Sequence, residues 1–214
     1  MRVVIADDSL LVREGVAAVL RRAGIEVTAE AESAETLLRE VDANPPDIAI
    51  VDIRMPPAYD DEGIRAAHEI RARHPQIGIV ILSTHVDLGT AMRVLAESPE
   101  RLGYVLKHRL TDVDDFVDTL RRVADGESAL DPEVVSRLLA RTTEEGPLRT
   151  LTPRERDVVQ LVAEGRSNKG IGDRLAVSER AVQKHVTSIF AKFGLSAAED
   201  DNRRILAVLA YMDR

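Results

Sequence analysis

Three carboxylates, a hydroxyl and a lysine stand at the ends of short apolar runs. Asp52 follows Ile48-Ala49-Ile50-Val51, and the pair Asp7-Asp8 follows Val3-Val4-Ile5-Ala6. The run Ile77 to Leu82 leads into Ser83-Thr84, and Tyr104-Val105-Leu106 delivers Lys107. Runs with no polar alternation suit strands buried on both faces of a parallel sheet. Side chains at the C-terminal ends of such strands meet in one crevice. Converging carboxylates repel one another, and a hard divalent cation with oxygen ligands relieves the repulsion. A cluster of this kind chelates a cation and handles a phosphoryl group, whose transfer needs positioning and charge compensation more than covalent help.

The elements that must position these residues alternate strand and helix through residues 1–127. Ser9 starts a helix to Arg22 that Gly24 ends, and 25–30 alternate like a more exposed strand. Ser33 caps a helix to about Ala43, which Asn44-Pro45-Pro46 stops. Further helices are predicted over 63–73, 88–97 and 112–125, the last closed by Gly126. Five strand-helix units make an α/β fold, a five-stranded parallel doubly wound sheet. Residues 128–150 read as a linker with a short helix opened by Asp131-Pro132 and a flexible Thr142-Thr143-Glu144-Glu145-Gly146-Pro147.

From 151 to 214 the pattern is all-α, with four helices. Thr152-Pro153-Arg154-Glu155 is a capping box whose helix ends at Gly165. Ser167 or Asn168 starts a second helix to about Leu175, Ser178 caps a third to Phe193, and a fourth spans about 200–212. Gly170 and Gly172 inside the second each cost ~1 kcal/mol against Ala, so that helix is expected to be loose.

Composition narrows the function classes. The chain carries a net charge of −8, is 44% hydrophobic, and contains no cysteine, no Trp and only three Tyr and three Phe. Disulfides and thiolate metal sites are excluded, which fits a reducing, cytoplasmic setting. No apolar stretch long enough to span a bilayer and no signal peptide is read, so membrane insertion is not expected. Charge is uneven: residues 1–141 hold 17 Lys and Arg against 26 Asp and Glu, whereas 151–196 hold eight against five. A basic patch behind an acidic half suggests a polyanionic partner for the second part.

Ala6-Asp7-Asp8, Val51-Asp52, Ile81-Leu82-Ser83 and Gly103-Tyr104-Val105-Leu106-Lys107 together resemble the receiver domain of response regulators. The resemblance implies that Asp52 accepts a phosphoryl group. It implies Mg²⁺ held by Asp7, Asp8, Asp52 and the main-chain carbonyl of Arg54. Lys107 and Ser83 would contact phosphoryl oxygens, with Thr84 as the other candidate hydroxyl. Tyr104 resembles the switch aromatic, a half-exposed strand tyrosine being the alternative. Departures are His108 after the lysine and long loops over 56–62 and 97–103. A haloacid-dehalogenase-type phosphatase would carry a second Asp where Arg54 stands, which argues against turnover of external substrates. No enzyme activity is expected beyond the chain's own aspartyl phosphorylation and dephosphorylation.

Residues 151–195 resemble the LuxR-type helix-turn-helix, so the whole chain is similar to NarL/FixJ-type response regulators. In the third helix Val182, Val186, Ile189, Phe190 and Phe193 form an apolar stripe, and Arg180, Lys184, Thr187 and Ser188 lie opposite, with Gln183 at the edge. An apolar back and a cationic, hydrogen-bonding front suit the major groove of double-stranded DNA. Gln183, Lys184 and Thr187 are the candidate base readers. Arg180, Lys192 and the amides near Ser178, with Lys169 and Arg166, are candidate phosphate contacts. His185 at the stripe's flank reads as structural. The resemblance further implies a sensor histidine kinase as phosphodonor and a homodimer formed through the last helix, where packing onto its own domain is the alternative. A different class of function remains, a phosphorylation-independent regulator whose receiver is a docking or dimerisation module.

Overall fold

The computed structural model describes residues 1–87, 89, 91, 100–142 and 150–192. Apart from residues 89 and 91, the helix expected over 88–97 lies outside the described residues, as do the helix expected over 200–212, the linker core and the end of the third carboxyl-terminal helix at Phe193 and Gly194. The chain divides into two compact units. One comprises Met1–Val86 and Glu100–Ser128; the other runs from Ala129 and also takes in Asp87–Pro99.

The first unit is built on a parallel sheet of β1 (Arg2–Ala6), β2 (Glu26–Ala31), β3 (Ile48–Asp52), β4 (Gly78–Ser83) and β5 (Leu102–Leu106). Its five strands lie in the order β2-β1-β3-β4-β5, and a further two-residue strand, β6 (Ala129–Leu130), opens the second unit and makes six strands where the sequence predicted five. A two-residue strand is too short for any periodicity to register, so the discrepancy has a simple cause. Every residue of β3, β4 and β5 is buried, as apolar runs without alternation require. Each fully buried Val, Leu or Ile contributes about 1.5–3 kcal/mol, so these strands are the energetic centre of the unit.

The helices of this unit are α1 (Leu10–Arg22), α2 (Ala34–Ala43), α3 (Glu62–Arg73) and α4 (Val113–Ala124). Packing of α2 on α3 covers one side. On the other, α1 and α4 line a cavity of about 290 Å³ with Lys107, Leu110 and Thr111. Ser33 and Asp112 cap α2 and α4 by accepting from Thr36 N and Asp115 N. Ser9 stands at the N-cap of α1 without such a bond.

The start of α3 is set by a buried carboxylate and a missing side chain. Glu62 accepts from the backbone N–H of Ala58 (3.2 Å) and Asp60 (2.8 Å), which ties down the long loop before it. A Cβ on Gly63 would lie 1.8 Å from the carbonyl oxygen of Asp52, so only glycine lets α3 seat on that backbone.

The second unit contains α5 (Pro132–Thr142), α6 (Pro153–Ala163), α7 (Asn168–Leu175) and α8 (Glu179–Lys192). The Thr152–Glu155 capping box forms as read. Ala176, in the left-handed region at φ 53°, turns α7 into α8. Gly172 corrects the expectation of looseness: it is buried, and a Cβ there would lie 2.8 Å from the carbonyl oxygen of Val177. Its absent side chain is what allows the tight turn. Gly170 has no comparable crowding.

Candidate functional site

Register brings the sequence-distant acids together. Ala6 pairs with Val51 and Asp52 with Leu82, so β1, β3 and β4 end side by side. Asp7 continues β1 and is fully buried, Asp52 is 5% exposed, and Asp8 faces solvent. Carboxylate oxygens of all three lie within 4.8 Å of one another. Ser83 pairs with Leu106 at the next strand end, and Lys107 follows directly. Its Nζ stands 2.7 Å from Oδ2 of Asp7 and 3.0 Å from Oδ1 of Asp52.

One lysine does not neutralise three acids. Burial pushes the Asp52 carboxyl up to about 6, against the lowering effect of Lys107 and with the charges of Asp7 and Asp8 adding to the rise. For Lys107 itself burial acts downward, but hydrogen bonds to Asp7 and Asp52 prevail and raise its pKa. Oδ2 of Asp7 is buried, and the Lys107 ammonium is its compensation. Buried carboxylate oxygens short of donors suit a hard divalent cation. The residues present fit that group.

The remaining residues of the predicted site fall as follows. Arg54 is exposed in the loop after β3. Ser83 is buried and its hydroxyl donates to the carbonyl of His85 at 2.6 Å, whereas Thr84 is exposed. Tyr104 is 1% exposed, so the half-exposed strand tyrosine is not what the fold contains. Sequence reading passed over Arg13, in the first turns of α1. One of its terminal nitrogens donates to the carbonyls of Asp7 (2.6 Å) and Asp8 (3.1 Å).

On α8, Val182, Val186, Ile189 and Phe190 are buried. Arg180, Gln183, Lys184 and Thr187 are exposed, with Ser178 before the helix and Lys169 on α7 also exposed. The Gln183 carbonyl oxygen accepts from the Asn168 amide, and the Thr187 hydroxyl donates to the main-chain carbonyl of Gln183 at 3.0 Å. These bonds set the presented face. Lys192 is placed differently from the phosphate contact read for it. Its Nζ lies 2.6 Å from Oε2 of Glu155 and 2.9 Å from the carbonyl oxygen of Thr150, so its charge is used within the domain. Ser188 likewise turns inward, donating to Oε1 of Glu155 at 2.8 Å. Arg166 pairs with the buried Glu164 at 3.1 Å.

Comparison with known proteins agrees with both halves. Residues 3–119 match the response regulator receiver domain family, and residues 149–200 match the bacterial regulatory proteins of the luxR family. The transcriptional regulatory protein DegU of Brevibacillus brevis is 32% identical, over 92% of this chain and 89% of that protein. The oxygen regulatory protein NreC of Staphylococcus carnosus is 30% identical, over 92% of this chain and 93% of that protein. Among solved structures, the RcsB response regulator of Salmonella typhimurium is 27% identical with a TM-score of 0.56, covering 100% of this chain and 98% of that one. An RcsB–DNA complex aligns with a TM-score of 0.55 at 27% identity, over 100% of this chain and 98% of that one. No helix among the described residues is long and apolar enough to cross a membrane. The strand-end acids, the lysine and the exposed polar face of α8 thus belong to a two-component response regulator of the NarL/FixJ type, a receiver domain joined to a LuxR-type helix-turn-helix that binds DNA and regulates transcription.

Proposed function

We propose that a sensor histidine kinase phosphorylates this regulator on Asp52 and that the modification controls a DNA-bound homodimer in the cytoplasm. An oxygen of the Asp52 carboxylate attacks the phosphorus, and the bond from phosphorus to the kinase's imidazole nitrogen breaks. The reading is supported above all by Lys107, whose ammonium bridges Asp7 and Asp52 at 2.7 and 3.0 Å. A cation placed there stays beside the attacking oxygen and pairs with the incoming phosphoryl charge.

Asp7, Asp8 and Asp52, with the main-chain carbonyl of Arg54, would hold Mg²⁺, which when bound offsets charge on the transferring group. The Ser83 hydroxyl now donates to the His85 carbonyl. Donating to a phosphoryl oxygen instead exchanges a neutral acceptor for a charged one and frees that carbonyl, which loosens the segment after β4. Tyr104, already buried, is the aromatic whose packing follows that exchange. On α8, Gln183, Lys184 and Thr187 read base edges, and Arg180, Lys169 and the amides after Ser178 hold phosphates. The chain turns over no external substrate.

Intact mass after incubation with an acyl phosphate and Mg²⁺ tests the assignment. The natural chain is expected to gain one phosphoryl group and Asp52→Asn none. Equal incorporation by the variant overturns Asp52 as acceptor.

A further inference from the structure

The acidic pair must present two carboxylates to one point although one is buried and the other solvent-facing. Asp7 is restrained at every polar atom. Its N–H donates to the carbonyl of Ala31 (3.1 Å), Oδ1 accepts from Ser9 N (3.0 Å), and Oδ2 faces Lys107. Asp8 is exposed, and a solvated aspartate at the start of a loop has several backbone and rotamer states to choose from.

Arg13 removes the backbone part of that choice. The carbonyl of Asp7 belongs to the peptide plane before the Asp8 Cα, and the carbonyl of Asp8 to the plane after it. One guanidinium nitrogen, carrying two N–H groups, donates to both carbonyls at 2.6 and 3.1 Å. Fixing the planes on either side of a Cα fixes φ and ψ there, and with them the direction of the Cα–Cβ bond. The guanidinium is itself half-buried and rooted in α1, so the restraint is tied to a rigid element.

We infer that Arg13 is a positioning residue for the cation site: by clamping the Asp7 and Asp8 carbonyls it aims the Asp8 carboxylate at the point where those of Asp7 and Asp52 converge. The inference rests on the function proposed above and adds to it a residue that touches neither the cation nor the phosphoryl group. Lysine is an incomplete substitute: its ammonium carries enough N–H groups for both carbonyls, but its donors rotate freely on a flexible stem, whereas those of the planar guanidinium are fixed in direction.

Calorimetric titration of MgCl₂ into the metal-free full chain, for the natural protein, Arg13→Ala and Arg13→Lys, tests it. Loss of an outer-shell partner is expected to weaken Mg²⁺ affinity about tenfold in Arg13→Ala, with Arg13→Lys intermediate. Phosphorylation of Arg13→Ala by an acyl phosphate is expected to be slow at low Mg²⁺ and to recover at saturating Mg²⁺, a rescue that a purely structural defect does not give. An Arg13→Ala affinity within about twofold of the natural chain overturns the inference. Slow phosphorylation that persists at saturating Mg²⁺ overturns it too. Should Arg13→Ala not fold, Arg13→Gln is read on the same criteria. If the natural chain itself takes up no Mg²⁺, the function reading fails first, which separates that outcome from failure of the inference.

Discussion

Asp52 and Glu155 are equally buried, each 5% exposed, yet they titrate in opposite directions. Asp52 is pushed up to about 6 and Glu155 is drawn down to about 2. Burial acts upward on both. The difference lies in the neighbours. Glu155 receives the Lys192 ammonium at 2.6 Å, the Thr152 N–H at 2.7 Å and the Ser188 hydroxyl at 2.8 Å. Asp52 shares one lysine with Asp7 and faces two like charges. Depth alone therefore does not separate a working carboxylate from a structural one; the supply of donors does. Glu155 joins α6 to α8, whereas Asp52 is left short of donors where a divalent cation could supply the missing positive charge.

The sharpest way to test that contrast is to disturb what holds Asp52, since its carboxylate does not. The seat of α3 on the Asp52 carbonyl requires Gly63, where a Cβ would lie 1.8 Å from that oxygen. Gly63→Ala is expected to destabilise the receiver by more than about 3 kcal/mol, because a backbone atom cannot yield as a flexible side chain can. Urea denaturation of the full chain checks it, with Gly15→Ala, where nothing lies within 4 Å, as the tolerant control. Equal stability of the two variants would show that α3 is not seated on the Asp52 backbone.

Next in size is the structural carboxylate. Glu155→Ala leaves the Thr152 N–H without its acceptor and the Lys192 ammonium with the Thr150 carbonyl but without its counter-charge, so the helical unit is expected to lose about 3 kcal/mol. Acid should do part of the same damage. A folded pKa of about 2 against an ordinary 4.5 means the stabilisation is complete above 4.5 and lost as pH falls from there through 2. The loss is of the order of 2 kcal/mol. Thermal unfolding of the helical unit within the full chain, between pH 5 and 2.5, should show this slope in the natural protein and a flatter one in Glu155→Gln. Identical slopes would remove Glu155 from its role.

The receiver's strands were legible because β3, β4 and β5 are buried on both faces, and strand order then carried Asp7, Asp52, Ser83 and Lys107 to one edge. What escaped was whatever depends on a partner far along the chain. Lys192 has the charge and helix position of a phosphate contact, but the Glu155 that engages it is 37 residues away. The capping box announced that Glu155 starts a helix, not that its second oxygen binds Ser188 and α8. Gly172 looked like a weakness because propensity counts only the helix, while its requirement comes from the Val177 carbonyl across the turn. Arg13 gave a faint signal, a basic residue one turn behind an acidic pair. Its two bonds end on main-chain carbonyls, which no residue pattern encodes.

The smallest expected effect is the one with an unusual sign. For Asp52, a raised pKa means that the folded chain binds the proton more tightly than the unfolded chain. Stability therefore falls as pH climbs from 3.8 toward about 6, and the full cost is present at neutral pH. Asp52→Asn keeps the shape and removes the charge. In the presence of a chelator the variant is expected to be more stable than the natural receiver at pH 7, by about 1–2 kcal/mol, and equal to it near pH 4. Added Mg²⁺ should narrow or reverse the gap by stabilising the natural chain alone. Urea midpoints at the two pH values, with and without Mg²⁺, measure all four states. If Asp52→Asn is the weaker protein at pH 7 under chelation, then Lys107 already satisfies Asp52 as fully as Lys192 satisfies Glu155. The site would then have no electrostatic reason to take up a cation.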